Sequence, residues 1–251
     1  MTPAVAVSNL SKHYGDIVAV DGISFTIGPG TICALLGANG AGKTTTIAML
    51  LGLVVPSGGD IVIFGDDILA DRYRVLPRMN FSSPYVDLPQ SLSVRENLTI
   101  YARLYSVRDI DGRLAALAEE LGLGPVMDRK FRSLSAGQKT RATLAKALLN
   151  EPELILLDEP TASLDPDNAD RVRSSLMAYQ RRTGATVLLT SHNMTEVERI
   201  CDHVIIMRTG RIVDDGTPAQ LLQRYGHDDM EQVFLDIARN DNRAADRVPT
   251  G

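Results

Sequence analysis

The chain has 251 residues, of which 44% are apolar, so it can bury the core of one large domain or of two small ones. Its net charge of −5 and the absence of basic runs argue against nucleic acid as a constitutive partner, because nucleic-acid-binding domains usually carry a basic face. The longest apolar candidate, residues 47–55, is too short to span a bilayer, so work at a membrane would require another polypeptide to do the crossing.

Short apolar stretches separated by turn residues open the chain. They cover residues 4–7, 17–20 and 23–27, and this alternation predicts an antiparallel sheet. Tyr14 lies at the first turn between them. Its ring could stack on a purine base, and the residue is equally compatible with an ordinary surface position.

A glycine-rich turn then joins a strand-like run, residues 32–36, to a helical pattern that begins at Lys43. The turn reads G-x-x-x-x-G-K-T, with Gly37, Gly42, Lys43 and Thr44 in the fixed positions. A P-loop of this kind wraps a diphosphate in backbone N–H groups and directs a helix N-terminus at it. We predict that Lys43 reaches the β- and γ-phosphates and that Thr44 ligates Mg²⁺. The alternative is a glycine-rich turn that merely caps a helix.

The character of the sequence changes after two further predicted strands, residues 60–64 and 78–82. From Ser91 onward, apolar residues recur at three- and four-residue spacing, which is typical of amphipathic helices, and strand patterns stop until residue 154. This pattern predicts a helical subdomain over about residues 88–150, inserted into an α/β protein.

One helix of this region begins in the stretch LSAGQ, residues 134–138, where Ser135 is a good N-cap residue. A capped helix start is a common structural feature and needs no ligand. The small residues Ala136 and Gly137 also leave the N–H groups of the helix start accessible to an anion. The residues alone leave both interpretations open.

Two carboxylates end the next apolar run, residues 154–157. Continuous apolarity is typical of a strand buried on both faces of a parallel sheet, and ligands bind at the carboxyl ends of such strands. There Asp158 can hold Mg²⁺ through water, while Glu159 can orient and deprotonate an attacking water molecule. The alternative is a buried strand that runs into a charged turn by chance.

The remaining elements carry two further candidate residues. Asp165 precedes a proline and is explained as a plain helix N-cap. His192 follows a predicted strand, residues 186–190, at the edge where ligands bind, so it is either an unremarkable histidine or a phosphate sensor. Neither Cys33 nor Cys201 belongs to a metal-type cluster, and we expect both to be buried, reduced thiols of a cytosolic protein.

The end of the chain reads as a hairpin and two short helices. Residues 204–207 and 211–213 are strand-like around a turn, and helical patterns follow over residues 218–225 and 230–239. Residues 240–251 have no apolar pattern, and we expect them to be disordered.

Taken together, these residues resemble the nucleotide-binding subunits of ATP-binding cassette (ABC) transporters. The resemblance covers residues 5–216 and rests on features that occur in family order and at family spacing. These are a Walker A motif (GANGAGKTT, residues 37–45), a signature motif (LSAGQ, residues 134–138), a Walker B motif (LILLDEP, residues 154–160), a D-loop (SLD, residues 163–165), a switch histidine (His192) and a base-stacking aromatic (Tyr14).

The resemblance implies a fold of the P-loop NTPase type. It is an α/β fold with a RecA-like, mostly parallel sheet core, an N-terminal antiparallel β-subdomain and an inserted helical subdomain. The implied division is a single domain over residues 1–240, with a β-subdomain and ATPase core (residues 1–87 and 151–216), the helical subdomain (residues 88–150), C-terminal helices (residues 217–240) and a disordered tail (residues 241–251).

It also implies an ATPase that converts ATP and water into ADP and phosphate. Lys43, Glu159 and His192 would be catalytic, and Thr44 and Asp158 would hold Mg²⁺. The residues implied to contact ATP are Tyr14, Gly37, Ala38, Asn39, Gly40, Ala41, Gly42, Lys43, Thr44, Thr45, Ser135, Ala136, Gly137, Gln138 and Asp165.

The implied partners are proteins, with no nucleic acid expected. Family members dimerise head to tail, so the P-loop of one copy and the Ser135 helix start of a second nucleotide-binding subunit, identical or not, enclose one ATP. The helical subdomain receives a short cytoplasmic helix of an integral membrane permease subunit, which places the chain at the cytoplasmic face of the cell membrane. The stretch EQVFLDIAR, residues 231–239, is similar to the ending of bacterial export-type cassettes and indicates export of a drug, lipid or glycan.

Two kinds of departure from the family pattern stand out. The family usually has a glutamine that touches Mg²⁺ and the nucleophilic water, but here Ser83 or Pro84 occupies that place, and Gln90 comes too late. Either hydrolysis tolerates this loss or coupling through the loop differs. Ala38 replaces a frequent proline and Ala136 a frequent glycine, and neither change removes a needed N–H group.

Two other classes use some of the same motifs. A soluble cassette ATPase that acts on ribosomes or DNA usually carries two cassettes or a long coiled-coil insert, and this sequence has neither. A phosphotransferase that shares only the P-loop would not need the LSAGQ element. The favoured function is therefore that of a transporter ATPase subunit.

Overall fold

The computed structural model describes residues 2–83, 87–162 and 164–245. Two sheets and the helices around them make up the fold of these residues. The strands are β1 (Val5–Tyr14), β2 (Ile17–Ile27), β3 (Ile32–Leu36), β4 (Gly58–Ile63), β5 (Asp66–Asp67), β6 (Met79–Ser82), β7 (Leu154–Asp158), β8 (Thr186–Thr190), β9 (His203–Arg208) and β10 (Arg211–Gly216). The helices are α1 (Lys43–Leu50), α2 (Arg72–Val75), α3 (Val94–Leu104), α4 (Ile110–Glu120), α5 (Ala136–Leu148), α6 (Pro166–Thr183), α7 (Met194–Ile200), α8 (Pro218–Tyr225) and α9 (Met230–Ala245).

The first sheet is antiparallel, with strand order β2-β1-β4-β5, as the alternating pattern predicts. One detail of the prediction is wrong: residues 17–20 and 23–27 form the single strand β2 instead of two strands. The predicted turn at Asp21 and Gly22 is an irregularity within the ladder, where the register with β1 shifts. The N–H of Gly22 finds a partner there in the hydroxyl of Ser11, at 3.0 Å.

The second sheet has the order β10-β9-β3-β8-β7-β6, and all of its pairs are parallel except β10 with β9. Every residue of β3, β7 and β8 is buried, which explains their continuous apolar character. Because these strands are parallel, their carboxyl ends meet at one edge. That edge brings together the P-loop after β3, Asp158 at the end of β7, and His192 just after β8.

Apolar residues pack against both faces of the parallel sheet. Cys33 and Leu35 of β3 join a core with the antiparallel sheet, while Ala34 and Leu36 join a second core with the helices. Both cysteines are buried free thiols, as expected, and burial raises the pKa of Cys33 to about 12. The predicted hairpin near the end of the chain is confirmed as β9 and β10.

Between β6 and β7 the regular elements of the described residues are helical, in agreement with the sequence pattern. The capping box that starts α3 joins Ser93 and Glu96, whose side chains each accept a hydrogen bond from the other's backbone N–H. Leu98, Leu117 and Phe131 are buried in the core that these helices share with the sheet. Among the described helices, none has both the length and the apolar character needed to cross a bilayer.

The last two described helices pack against each other, and α9 also packs against α7. The prediction for α8 is confirmed, whereas α9 runs to Ala245 and so corrects the prediction that disorder begins at residue 240. A helix already started gains one backbone hydrogen bond for each added residue, so it can continue past its last apolar contact. Residues 246–251 lie outside the described residues. Met230, Val233 and Ile237 form the buried face of α9.

Candidate functional site

The P-loop lies at the carboxyl end of β3 and approaches its neighbours so closely that two of its positions require glycine. A Cβ at Gly42 would lie 2.6 Å from the carbonyl oxygen of Ala19, and one at Gly37 would lie 2.5 Å from that of Met207. Gly42 also has a φ of 104°, in the left-handed region that disfavours side chains. The loop therefore combines tight backbone packing with a direct entry into α1.

Lys43, the first residue of α1, folds its side chain back over the loop. Its Nζ donates hydrogen bonds to the carbonyl oxygens of Gly37 at 2.6 Å and of Ala38 at 3.2 Å. Burial lowers the pKa of the Lys43 amine, and the carboxylates of Glu159 and Asp158 oppose that shift. A cation held in this way beside a helix N-terminus suits a polyanionic ligand.

A cavity of about 410 Å³ joins the P-loop to residues from two other parts of the chain. Its lining residues are Tyr14, Ile17, Val18, Ala19, Asn39, Gly40, Ala41, Gly42, Lys43, Thr44, Thr45, Asp158 and Glu159. Sequence reasoning missed Ile17, Val18 and Ala19, which form an apolar wall next to Tyr14. A signal was present, because they are apolar residues just after the predicted aromatic contact, and Ile17 stays 68% exposed.

The two carboxylates at the end of β7 have different surroundings. Asp158 is buried, and its Oδ1 accepts a hydrogen bond from the hydroxyl of Thr190 at 2.7 Å. Glu159 has a φ of 49°, so the backbone leaves the strand direction at this residue. Its N–H donates to the carbonyl oxygen of Thr190 at 3.2 Å and to its hydroxyl at 3.0 Å. Thr190, which sequence reasoning did not single out, thus holds both acids against β8.

His192 lies against Glu159. The distance from His192 Nε2 to Glu159 Oε1 is 2.6 Å, and both side chains keep part of their surface exposed. The contact brings together two residues that are 33 positions apart in the sequence (192 − 159). An imidazole in contact with a carboxylate at a cavity wall is an arrangement that can orient a water molecule or sense a phosphate.

The start of α5 lies at a separate cavity. Ser135 and Gln138 form a capping box, with the Ser135 hydroxyl accepting from the N–H of Gln138 at 3.3 Å and Gln138 Oε1 accepting from the N–H of Ser135 at 3.0 Å. The predicted N-cap is thus confirmed. Among the described residues, none from 134–138 lines the P-loop cavity. Ala136 instead lines a cavity of about 290 Å³, which also contains Asp158 and Glu159.

Asp165 caps α6 as predicted, through a hydrogen bond from the N–H of Asn168 at 3.0 Å. Hydrogen bonds from Asn168 lower the pKa of the Asp165 carboxyl. Asn168 also accepts a 2.6 Å hydrogen bond from Arg141 of α5, so it links the starts of two helices. The sequence alone gave no signal for this link, because it depends on how α5 and α6 pack. Ser163 lies outside the described residues.

The position where the family usually has glutamine is taken up by a shorter side chain. Ser83 is buried, and its hydroxyl lies 3.4 Å from Oδ2 of Asp158. Pro84 lies outside the described residues. A polar group thus reaches Asp158 from the residue after β6, although it is smaller than an amide.

A glycine-rich loop between β3 and α1, with two acids at the end of a parallel strand, defines the class as a P-loop nucleotide-binding protein. The family described as ABC transporter matches residues 20–162. The chain therefore belongs to the ABC transporter family, as an ATP-binding subunit, and the predicted family and fold class are confirmed.

Similar proteins cover nearly the whole chain. A Nod factor export ATP-binding protein I of Cupriavidus metallidurans is 38% identical over 94% of this chain and 78% of its own length. The protein of the same name from Ralstonia nicotianae is 36% identical over 94% of this chain and 74% of its own length.

Solved structures agree with the fold. An ATP binding subunit of an ABC transporter has a TM-score of 0.84 at 27% identity, covering 94% of this chain and 100% of its own. The structure of cbiO1 from Clostridium perfringens, part of the transporter complex cbiONQ, has a TM-score of 0.80 at 28% identity, covering 89% and 92%.

Proposed function

We propose that this chain is the Mg²⁺-dependent ATPase of an exporter and drives transport through a separate membrane-spanning subunit. The observation that carries the proposal is the 2.6 Å contact of His192 with Glu159, which lines the cavity that contains Lys43. ATP hydrolysis needs a water-orienting acid beside a phosphate site, and these residues would supply both. The names of the relatives, which are export proteins, support the direction of transport.

The P-loop cavity can accommodate the parts of ATP in order. Tyr14 and the neighbouring apolar wall suit the flat base, and the lining residues from Asn39 to Thr45 suit the phosphates. Lys43 would exchange its two loop carbonyl partners for phosphate oxygens. The attraction between the Lys43 amine and the phosphate oxygens would offset the free-energy cost of burying the amine.

The residues near Asp158 fit a magnesium ion that is shared with the phosphates. Thr44 and Asp158 line the same cavity, and hydroxyl and carboxylate oxygens are suitable Mg²⁺ ligands. Within the described residues there is no cluster of three metal-binding side chains, so phosphates and water would have to complete the coordination. When bound, the ion would neutralise part of the phosphate charge.

Glu159 and His192 would act on the other side of the phosphates. Glu159 would orient the attacking water and accept its proton, and His192 would hold the carboxylate and contact the terminal phosphate. Little covalent chemistry is required of the protein, because phosphoryl transfer depends mainly on positioning and charge stabilisation.

A second nucleotide-binding subunit would complete the site. The start of α5 offers a capped helix terminus with Ala136 exposed, yet within the described residues it does not line the P-loop cavity of its own chain. A head-to-tail dimer would place this terminus on the ATP held by the other copy. Asp165 would then lie at the seam between the copies.

The membrane-spanning partner would dock beside the helical region. A cavity of about 560 Å³ there is mainly apolar and includes Leu53, Tyr73 and Leu104, which are 72%, 87% and 69% exposed. Exposed apolar side chains around one groove are typical of a protein interface. A short helix from the permease subunit would cover them, and this chain would then lie at the cytoplasmic face of the membrane.

Glu159→Gln tests the proposed function. The variant should bind ATP but lose most phosphate release, since an amide cannot accept the proton of the attacking water; we expect a loss of about 100-fold or more. Steady-state phosphate release with Mg²⁺ and with a chelator, together with an ATP-binding titration, measures both properties. Glu153→Gln is the control, because it changes a carboxylate in a surface ion pair with Arg78.

The proposal fails if Glu159→Gln turns over ATP as fast as the wild type. It also fails if phosphate release by the wild type is unaffected when the chelator removes Mg²⁺. A wild type that releases phosphate only with Mg²⁺, beside an inactive but ATP-binding variant, supports it.

A further inference from the structure

Glu196 is a carboxylate that the proposed chemistry does not use, although it lies next to the site. It belongs to α7 and is only 1% exposed. Burying a carboxylate is unfavourable unless hydrogen bonds or a cation satisfy it, so such a residue needs a structural or functional reason.

Two hydroxyl groups donate hydrogen bonds to this carboxylate. Thr161 Oγ1 lies 3.0 Å from Oε1 and 2.8 Å from Oε2, and Ser191 Oγ lies 2.8 Å from Oε2. Hydrogen bonds to a charged acceptor are stronger than those between neutral groups. Arg173 of α6 adds a more distant positive charge, with Nη1 at 3.9 Å from Oε1.

The two hydroxyls come from the two turns that carry the reacting pair. Thr161 follows Glu159 by two residues, and Ser191 directly precedes His192. Glu196 therefore ties the turn after β7 to the turn after β8. Its own position is set by Asn193, which caps α7 by accepting a 3.1 Å hydrogen bond from the N–H of Glu196.

The catalytic pair needs such a tie because its own contact is open to water. The side chains of Glu159 and His192 are 22% and 46% exposed, and exposed ion pairs hold their geometry weakly. A buried anchor that joins the two turns limits how far their backbones can separate.

We infer that Glu196 is a positioning residue, which holds the turns of Glu159 and His192 in the register that keeps these two side chains together. The inference rests on the proposed function, since it assigns a role in the same hydrolysis. It adds the prediction that removing a single partly buried hydroxyl, at a residue placed outside the ATP-binding set, slows turnover.

Thr161→Val and Thr161→Ser form a matched pair that tests the inference. Valine keeps the shape but removes the donor, whereas serine keeps the hydroxyl. We expect Thr161→Val to lower kcat by about tenfold, since small misplacements of catalytic groups cost about this much or more. KM for ATP should change by less than about twofold, and Thr161→Ser should retain most activity. Glu196→Gln, which weakens both hydrogen bonds, should lower kcat in the same direction.

A cycle with His192→Ala separates positioning from simple stability. If the tie acts through the Glu159–His192 pair, Thr161→Val should cost little further activity once His192 is absent. Unchanged kcat in Thr161→Val overturns the inference, and so does a full tenfold loss in the His192→Ala background. A fall in melting temperature with parallel losses of kcat and ATP affinity, or equal losses in Thr161→Ser, assigns a purely structural role and also overturns it.

The two proposals can fail separately. A wild type that hydrolyses ATP, beside an inactive Glu159→Gln variant, keeps the proposed function whatever Thr161→Val shows. A wild type without ATPase activity rejects the proposed function, and Glu196 then has no hydrolysis to position.

Discussion

Lys146 of α5 is a partly buried cation that faces β6. Its Nζ donates to Asn80 Oδ1 at 3.1 Å and to the carbonyl oxygen of Phe81 at 3.0 Å, and it lies 5.5 Å and 5.9 Å from the ring centroids of Tyr101 and Tyr105. These neutral partners compensate desolvation less well than a carboxylate would. Burial accordingly lowers the pKa of Lys146 to about 8.

This shift predicts a pH dependence of stability. Below pH 8 the amine is charged in both states, so folding bears the full cost of burying it. Between pH 8 and the ordinary value of 10.5 the unfolded chain binds more protons than the folded one, so stability rises with pH in that window. Across this pH window, the free energy of unfolding of the wild type should rise by up to about 3 kcal/mol relative to that of Lys146→Met.

Chemical denaturation at several pH values measures the difference between the two proteins. Lys130→Met, at an exposed position, controls for the loss of one positive charge. Stability curves of wild type and Lys146→Met that stay parallel from pH 8 to 10.5 would contradict the assigned burial cost.

At the scale of elements, the starts of α5 and α6 are packed against each other. A Cβ at Gly137 would lie 2.5 Å from Cγ of Asn168. Asn168 has little freedom to move away, because Arg141 donates to its Oδ1 and its own Nδ2 donates to Asp165 at 2.6 Å. Gly137 is therefore required by packing within one chain, besides any role it has toward ATP.

Gly137→Ala should lower the free energy of unfolding by about 1–3 kcal/mol through this clash. Asn168→Ala removes the obstructing side chain, so the double variant should be more stable than the sum of the single effects allows. Denaturation of the four proteins measures the coupling, and additive effects would refute the clash. ATPase activity that stays lost in a stable double variant would support a separate role of Gly137 at the second copy's ATP.

For the whole molecule, local patterns predicted most of the fold. Apolar runs located β3, β7 and β8, because strands buried on both faces must be apolar throughout. Capping residues located the starts of α5 and α6, because they satisfy N–H groups of their own helix. Two errors, the split of β2 and the early end of α9, occurred where tertiary pairing or helix propagation overrode a local break.

The site was predictable only as far as its motifs reach. The P-loop, Asp158 and Glu159 stand in short patterns whose chemistry depends on spacing. Thr190 and Glu196 act through contacts between segments distant in sequence, and no periodicity marks them. Contacts of this kind depend on how the elements pack in three dimensions, and a local sequence pattern does not reveal them.

The proposed head-to-tail dimer can be tested by mixing two inactive variants. If each ATP lies between the P-loop of one copy and the α5 start of the other, two different inactive variants should complement each other when mixed. Lys43→Ala should weaken ATP binding at the P-loop. Ala136→Asp should repel the triphosphate of the partner while keeping its fold, since position 136 is exposed and an acid in the first turn of a helix is favourable.

Each variant alone should be inactive, because every site in its dimer contains one defect. In the mixed dimer both defects fall in one site, and the other site has a normal P-loop and a normal α5 start. Equal mixing makes half of the dimers mixed, each with one working site of two, so phosphate release should recover to about one quarter of the wild-type rate. Had the P-loop and α5 start of the same chain formed the site, every chain in the mixture would still carry a defect, and no activity would return.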